Sequence, residues 1–152
     1  MKDIIRLAKQ FRSAIEIARD SGDFDNDFSF NRFPRGCCGD TSDLLAEFLL
    51  KYGIRTEYVC GTYRDGTFEN MQSHAWLLID KHIIVDITGD QFRNNSDFLN
   101  YDKPVYIGVM DEFHRLFDVE KSDIHRFISI YELDGPALPR LDKLYKKIIQ
   151  YI

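Results

Sequence analysis

The sequence predicts an α+β fold in which N-terminal helices pack on a mainly antiparallel β-sheet. Apolar residues recur at helical spacing near the N-terminus, and short apolar runs separated by turn residues follow from residue 54 onwards. Helices that precede a run of strands are typical of α+β proteins. A length of 152 residues is close to that of one domain, so we expect a single domain over residues 1–152.

Two helices are predicted before the first strand. The first covers residues 3–19, and the second covers residues 38–52 after Pro34. Gly53 follows the second helix, and glycine commonly ends helices because it readily adopts the left-handed conformation. The apolar stripes of the two helices contain Ile4, Leu7, Ala8, Phe11, Ile15 and Ala18 in the first, and Leu45, Phe48, Leu49 and Tyr52 in the second.

The rest of the chain is predicted to form strands followed by one closing helix. β-branched and aromatic residues are frequent in these strands, and turn residues such as Asp65-Gly66 separate them. Residues 89–103 indicate a loop with one helical turn. The predicted strands cover residues 54–63, 74–79, 83–88, 104–109 and 127–131, and the helix covers residues 138–152.

Charge and hydropathy patterning narrow the classes of function. The net charge of −5 disfavours nucleic acid as a partner, because phosphate binding requires a basic surface. The N-terminal residues interleave charged with apolar side chains, so they do not resemble a signal peptide. No run reaches the ~20 apolar residues of a membrane span. We therefore expect a cytoplasmic protein with no membrane partner, while noting that export by a leaderless route leaves no mark in a sequence.

The three cysteines, Cys37, Cys38 and Cys60, indicate neither a disulfide framework nor a metal site. An odd count that includes two adjacent residues is unsuited to disulfide pairing. Zinc sites usually contain C-x-x-C or H-x(3–5)-H spacings, and neither occurs in this sequence. We therefore predict no metal and no other cofactor.

Cys38 is the candidate nucleophile because it lies where the second helix is predicted to begin. The first N–H groups of a helix have no intrahelical partner and carry partial positive charge, which favours a thiolate and can stabilise an oxyanion. Gly36 permits close approach of a substrate, and Arg35 adds positive charge. On a helix, the side chain of Cys37 points about 100° away from that of Cys38, so the two cannot serve equally as the nucleophile. The alternative is that Cys38 is only a small buried residue.

His74 and Asp86 are the candidate base and its orienting group. His74 begins an apolar strand, and Asp86 lies within the next one, where a carboxylate is costly unless it is paired. An imidazole held by a carboxylate is the base that deprotonates a thiol. The alternative is a buried His–Asp pair with no thiol nearby. Among the other histidines, His82 is predicted in a turn, and His114 and His125 are predicted to face solvent.

The hairpin that joins the two strands determines whether this pair can form. A two-residue turn at Asp80-Lys81 would place Ala75 opposite Asp86 and His74 on the other face of the sheet. A three-residue turn would place Trp76 opposite Asp86, and His74 would then share a face with Asp86 as its diagonal neighbour. The catalytic hypothesis therefore requires a turn with an odd number of residues, or one bulge.

Three short motifs, in order along the chain, resemble the transglutaminase-like superfamily of papain-related cysteine enzymes. They are Gly36-Cys37-Cys38 at a helix start, His74-Ala75-Trp76 at a strand start and Asp86-Ile87-Thr88 on the next strand. Residues 52–61 are similar to the family's passage from helix to strand. The likeness covers about residues 34–90, and its Gly-x-Cys motif selects Cys38 over Cys37.

This resemblance implies a papain-like, transglutaminase-core fold with Cys38, His74 and Asp86 as a catalytic triad. It implies a protease, deamidase or acyl transferase that acts on an amide of a protein or peptide through a thioester. Further candidates for oxyanion or substrate contacts are Asn31, Cys37 and Trp76. An inactive binding module on the same fold and a secreted deamidase-type toxin or effector are the alternatives, and the oligomeric state is left open.

Overall fold

The computed structural model of the chain describes residues 1–69 and 71–152. No helix in these two ranges has both the length and the apolar character needed to cross a bilayer. The described residues form the helices α1 (Lys2–Asp20), α2 (Cys38–Leu50) and α3 (Ala137–Ile149), and the strands β1 (Glu57–Tyr63), β2 (Ser73–Ile79), β3 (Ile83–Asp86), β4 (Tyr106–Gly108), β5 (Phe117–Asp118) and β6 (Ile124–Arg126).

The strands form one sheet in the order β4-β3-β2-β1-β5, and β6 also pairs with β1. The two short strands share one edge of β1, with β6 opposite residues 57–59 and β5 opposite residues 62–63. Every pairing is antiparallel. The predicted α+β class with helices and a mainly antiparallel sheet is therefore confirmed.

The centre of the sheet is buried on both faces, which explains the nearly continuous apolar run of β2. Side chains alternate between the two faces along a strand. Leu77 and Ile79 pack with the helices in the larger core, whereas Trp76 belongs to a second cluster on the opposite face. His74 is two positions before Trp76 and therefore faces this second cluster. We call this second cluster the aromatic core. Its buried members are Val59, Trp76, Ile84, Phe92, Phe98, Tyr101, Phe113 and Phe117.

The hairpin between β2 and β3 has the three-residue turn that the catalytic hypothesis requires. Ile79 pairs with Ile83, and Leu77 pairs with Val85. The turn residues Asp80 and Lys81 have φ angles of 50° and 66°. The predicted register is therefore confirmed.

Two predicted elements end earlier than expected, and each has an identifiable reason. β3 ends at Asp86 instead of residue 88, because the N–H of Thr88 donates to Asp86 Oδ1 at 2.8 Å and turns the chain out of the sheet. α2 ends at Leu50, two residues before its predicted end. Gly53 follows with a φ of +74°, so the predicted glycine stop is confirmed.

The strand predicted over residues 127–131 is wrong. The pairing segment lies just before it, in β6, and residues 130–132 form a 3-10 helix. The carboxylate of Glu47 on α2 accepts hydrogen bonds from the Ser129 hydroxyl at 3.0 Å and from the Ile130 N–H at 3.1 Å. These backbone and side-chain donors are therefore bonded to a helix instead of a neighbouring strand. The remaining predicted strands and the closing helix are present with shifted ends.

Candidate active site

Cys38 is the first residue of α2, as predicted. The preceding Cys37 provides no side-chain cap to the helix, and its carbonyl accepts the first helical hydrogen bond, from the Thr41 N–H at 2.9 Å. The N–H groups of residues 38–40 therefore have no intrahelical acceptor. Gly36 has a φ of +71°, which lets the chain turn sharply into the helix. The nucleophile candidate thus lies beside a set of backbone donors.

The surroundings of Cys38 favour its thiolate. Burial would raise the pKa of this thiol, but the hydrogen bond and charge of His74, together with the backbone N–H of Ala75, lower the pKa below its ordinary value. A half-buried thiol with a lowered pKa is the type that acts as a nucleophile.

The other two cysteines have the opposite character. Cys37 is buried among the helices, and burial is the main reason that its pKa rises to about 12. Burial also raises the pKa of Cys60, and the nearby Cys38 thiolate raises it further. Only Cys38 among the three thiols has a lowered pKa.

His74 is fully buried and joins Cys38 to Asp86. Its Nε2–H donates to Asp86 Oδ2 at 2.7 Å, which leaves Nδ1 for the thiol side of the ring. Burial opposes the charged imidazole, but the charge and hydrogen bond of Asp86 outweigh burial and raise the pKa of His74 to about 10. The lowered thiol pKa and the raised imidazole pKa together favour a thiolate–imidazolium pair at neutral pH.

Asp86 is buried and accepts hydrogen bonds at both oxygens. Oδ1 accepts from the N–H of Thr88 at 2.8 Å and from its hydroxyl at 3.3 Å. Oδ2 accepts from His74 and, at 3.0 Å, from Nε2–H of His114. Burial alone would raise the pKa of Asp86, but these two histidines hold it well below its ordinary range.

The prediction that His114 faces solvent is wrong. Its side chain is fully buried and bonds to Asp86 at one ring nitrogen and to Asp111 at the other. The charged neighbours Glu112 and Arg115 are exposed. Solvent exposure is therefore the correct prediction for these neighbours and the wrong one for His114. The predictions that His82 lies in the turn and that His125 faces solvent are confirmed, and His125 lies on β6.

Cys38 opens onto a cleft of about 690 Å³. The wall includes Gln91, whose Nε2 lies 3.3 Å from His74 Nδ1 and donates to the carbonyl of Thr88 at 3.1 Å. Gln91 lies in the 3-10 helix of residues 89–92, within the segment predicted as a loop with one helical turn, and no sequence pattern indicated a role for it. The cleft is lined by Arg35, Gly36, Cys38, Met71, Gln72, Ser73, Gln91, Phe92, Arg93, Asn94 and Asn95.

Of the six predicted site residues, Cys38 is the one that lines this cleft, and His74 and Asp86 are buried. Asn31 lies on an exposed 3-10 helix, and Trp76 is buried in the aromatic core with its ring against that of His114. Cys37 is buried on the helix side of the sheet. The structure thus brings Cys38, His74 and Asp86 together, and separates Asn31 and Cys37 from the cleft.

His74, Asp86 and His114 are also the residues whose geometry comes closest to a metal site. Within residues 1–69 and 71–152, they are the one set of three His, Cys, Asp or Glu side chains whose possible ligand atoms all lie within 4.8 Å of one another. Their N–O separations of 2.7 and 3.0 Å are those of direct hydrogen bonds, so each ligand atom already has a partner in the set.

Comparisons with known proteins give no match: no protein-family model, no curated protein and no solved structure corresponds to this chain.

Proposed function

We propose that the chain is a cysteine-dependent amide-processing enzyme with Cys38 as nucleophile, His74 as base and Asp86 as the group that orients His74. The observation that carries the proposal is a thiol with a lowered pKa at the uncapped start of a helix, next to an imidazole held at 2.7 Å by a buried carboxylate. The opening of this thiol onto a cleft supports a substrate-binding role. A purely structural pair would require neither feature.

The first half of the reaction forms a thioester. The Cys38 thiolate attacks the carbonyl carbon of an amide, a C–S bond forms, and the carbonyl π electrons move onto oxygen. The resulting oxyanion is stabilised by N–H groups of the first turn of α2. When it collapses, the C–N bond breaks, and the leaving nitrogen takes the proton from His74 Nδ1. This leaves a thioester on Cys38 and a neutral His74.

The second half releases the acyl group. Neutral His74 takes a proton from water or a primary amine as that nucleophile attacks the thioester carbonyl. The C–S bond breaks, Cys38 leaves as a thiolate, and His74 is again an imidazolium. Water as the nucleophile gives hydrolysis or deamidation, and an amine gives acyl transfer. The protein or peptide nature of the substrate is part of this proposal.

We also propose that the fold is a transglutaminase-like, papain-related core. The supporting observations are a helix that begins at the nucleophile, an adjacent antiparallel hairpin that carries His74 and Asp86, and the placement of Gly36 before the helix. An inactive binding module on this fold has less support, because the thiol, imidazole and carboxylate are all present and connected.

Two measurements test the proposed function. In the folded protein at neutral pH, iodoacetamide should modify Cys38 faster than Cys37 or Cys60, as mapped by mass spectrometry of the labelled peptides. With denatured casein as acyl donor and hydroxylamine as acceptor, the protein should form hydroxamates, because hydroxylamine intercepts thioesters.

The matched variants are Cys38→Ala, which should form no hydroxamate, and Cys60→Ala, which should retain the activity. If Cys60 or Cys37 is labelled first, the nucleophile assignment fails. If Cys38→Ala and the unchanged chain give the same product, the proposed chemistry fails.

A further inference from the structure

His114 connects the triad to a second carboxylate. Its Nε2 lies 3.0 Å from Asp86 Oδ2, and its Nδ1 lies 2.6 Å from Asp111 Oδ1. Ionised carboxylate oxygens only accept hydrogen bonds, so each ring nitrogen of His114 needs its own proton. The geometry therefore requires an imidazolium between Asp86 and Asp111.

Asp111 is itself fixed in position. Its Oδ1 also accepts the backbone N–H of His114 at 2.8 Å, and the Tyr101 hydroxyl donates to its Oδ2 at 3.4 Å. These bonds determine which way the ring of His114 points, because Nδ1–H and the backbone N–H of the same residue converge on one oxygen. The ring then presents Nε2–H to Asp86 in a fixed direction.

We propose that His114 is a positioning residue of the triad, which acts through Asp86 in a continuous chain Asp111–His114–Asp86–His74–Cys38. This inference rests on the proposed function of the triad. The groups alternate in sign along the chain when Cys38 is a thiolate and both histidines are charged. His114 holds Asp86 Oδ2 where His74 needs it and also places a positive charge behind the carboxylate.

The positive charge of His114 has a predictable effect on the reactive pair. The ring centroids of His114 and His74 are 6.2 Å apart. The positive charge of His114 therefore disfavours the charged form of His74 and favours the negatively charged thiolate of Cys38. Removal of the charge at position 114 should therefore raise the pH at which the thiolate forms and also the pH at which His74 loses its proton. A residue that only filled space would change neither value.

Several other groups close to His114 influence such a titration: Tyr101 is buried, Tyr106 and Asp111 are half-buried, and Lys103 is exposed. The ring of Tyr106 stacks on that of His114 with centroids 5.3 Å apart, and the ammonium of Lys103 lies over the rings of Tyr101 and Tyr106. The titratable or charged groups around His114 are thus Asp86 from β3, His74 from β2, Tyr106 from β4, and Tyr101, Lys103 and Asp111 from the connecting segments.

The test is the pH dependence of the rate at which iodoacetamide alkylates Cys38, measured from about pH 4 to about pH 12, so that the range includes the titration of both Cys38 and His74. In His114→Gln, a neutral N–H donor remains beside Asp86 while the charge is lost. We expect both limbs of the profile to move upward by about one pH unit. His82→Gln, the same substitution at the exposed turn of the hairpin, should leave the profile unchanged.

The outcomes separate the two proposals. If Cys38 of the unchanged chain is no more reactive than Cys60, the proposed function fails. If Cys38 is reactive and His114→Gln leaves both limbs in place, the positioning role fails while the triad stands.

A second measurement needs no folded His114 variant. Imidazole ¹H–¹⁵N NMR of the unchanged protein at neutral pH should show both ring nitrogens of His114 protonated, with the Nδ1–H signal shifted in Asp111→Asn. A neutral His114 would overturn the inference.

Discussion

A single carboxylate, that of Asp86, explains how charge is accommodated inside an apolar sheet. It accepts hydrogen bonds from Thr88, His74 and His114, so neither of its oxygens is left without a partner. Isolated burial of an ionised carboxylate would be strongly unfavourable. The pairing with His74 was predictable because an aspartate in an apolar strand needs a partner. The pairing with His114 was not, because it spans 28 residues across a segment with no recognisable pattern.

The raised pKa of His74 gives a prediction about stability and pH. Folding moves this pKa from an ordinary 6.5 to about 10. Between these values the folded protein keeps a proton that the unfolded chain loses, so this contribution to stability is complete below pH 6.5 and is lost as the pH rises towards about 10. The lowered pKa of Cys38 has the opposite effect: its contribution to the free energy of unfolding rises with pH up to the ordinary thiol pKa of 9.0, because the folded thiol has already lost the proton that the unfolded chain still holds.

We therefore expect the two slopes to oppose each other in the unchanged chain in that part of the range from pH 6.5 to 9.0 that lies above the lowered pKa of Cys38. In Cys38→Ala the contribution of His74 remains alone, and the free energy of unfolding should fall as the pH rises through this range. Urea unfolding at a series of pH values measures it. Cys60→Ala is the control, and a steeper pH dependence for the unchanged chain than for Cys38→Ala would contradict the thiolate–imidazolium pair.

At the scale of elements, the β2–β3 hairpin was the most predictable part of the site. The two apolar runs on either side of Asp80-Lys81-His82 identify the strands, and the requirement that His74 reach Asp86 selects an odd turn. In contrast, β5 and β6 have two and three residues, too few for a periodic signal. They are ordered by pairing with β1 and by burial of Phe117 in the aromatic core, neither of which is a local property.

The turn itself provides a prediction about stability. Lys81 has a φ of 66°, which glycine adopts more easily than lysine. Lys81→Gly should increase the free energy of unfolding by about 0.5–1 kcal/mol. The same substitution at exposed Lys9 within α1 should decrease it by about 1 kcal/mol, because glycine is a poor helix former. Chemical denaturation of both variants tests this contrast, and a loss of stability in Lys81→Gly would contradict the turn conformation.

For the whole molecule, the charge of the cleft differs from that of the chain. The chain has a net charge of −5, yet the described residues that line the cleft include Arg35 and Arg93 and no acidic residue. Both arginines are exposed, so their charges act on an approaching substrate through solvent and within about 10 Å at moderate ionic strength. Because Cys38 lies in the same cleft, we expect it to react preferentially with negatively charged electrophiles.

This expectation can be measured with two alkylating agents that differ in charge. The ratio of the iodoacetate rate to the iodoacetamide rate at Cys38 should exceed the ratio for the same thiol in the unfolded chain, and it should fall as added salt screens the arginines. Arg93→Gln should lower the ratio. Arg6→Gln should leave the ratio unchanged, because Arg6 lies on α1 and does not line the cleft. A ratio that is unaffected by salt and by Arg93→Gln would mean that the cleft arginines do not select the charge of the substrate. A ratio that responds to both would direct the search for a natural substrate towards amides next to acidic groups.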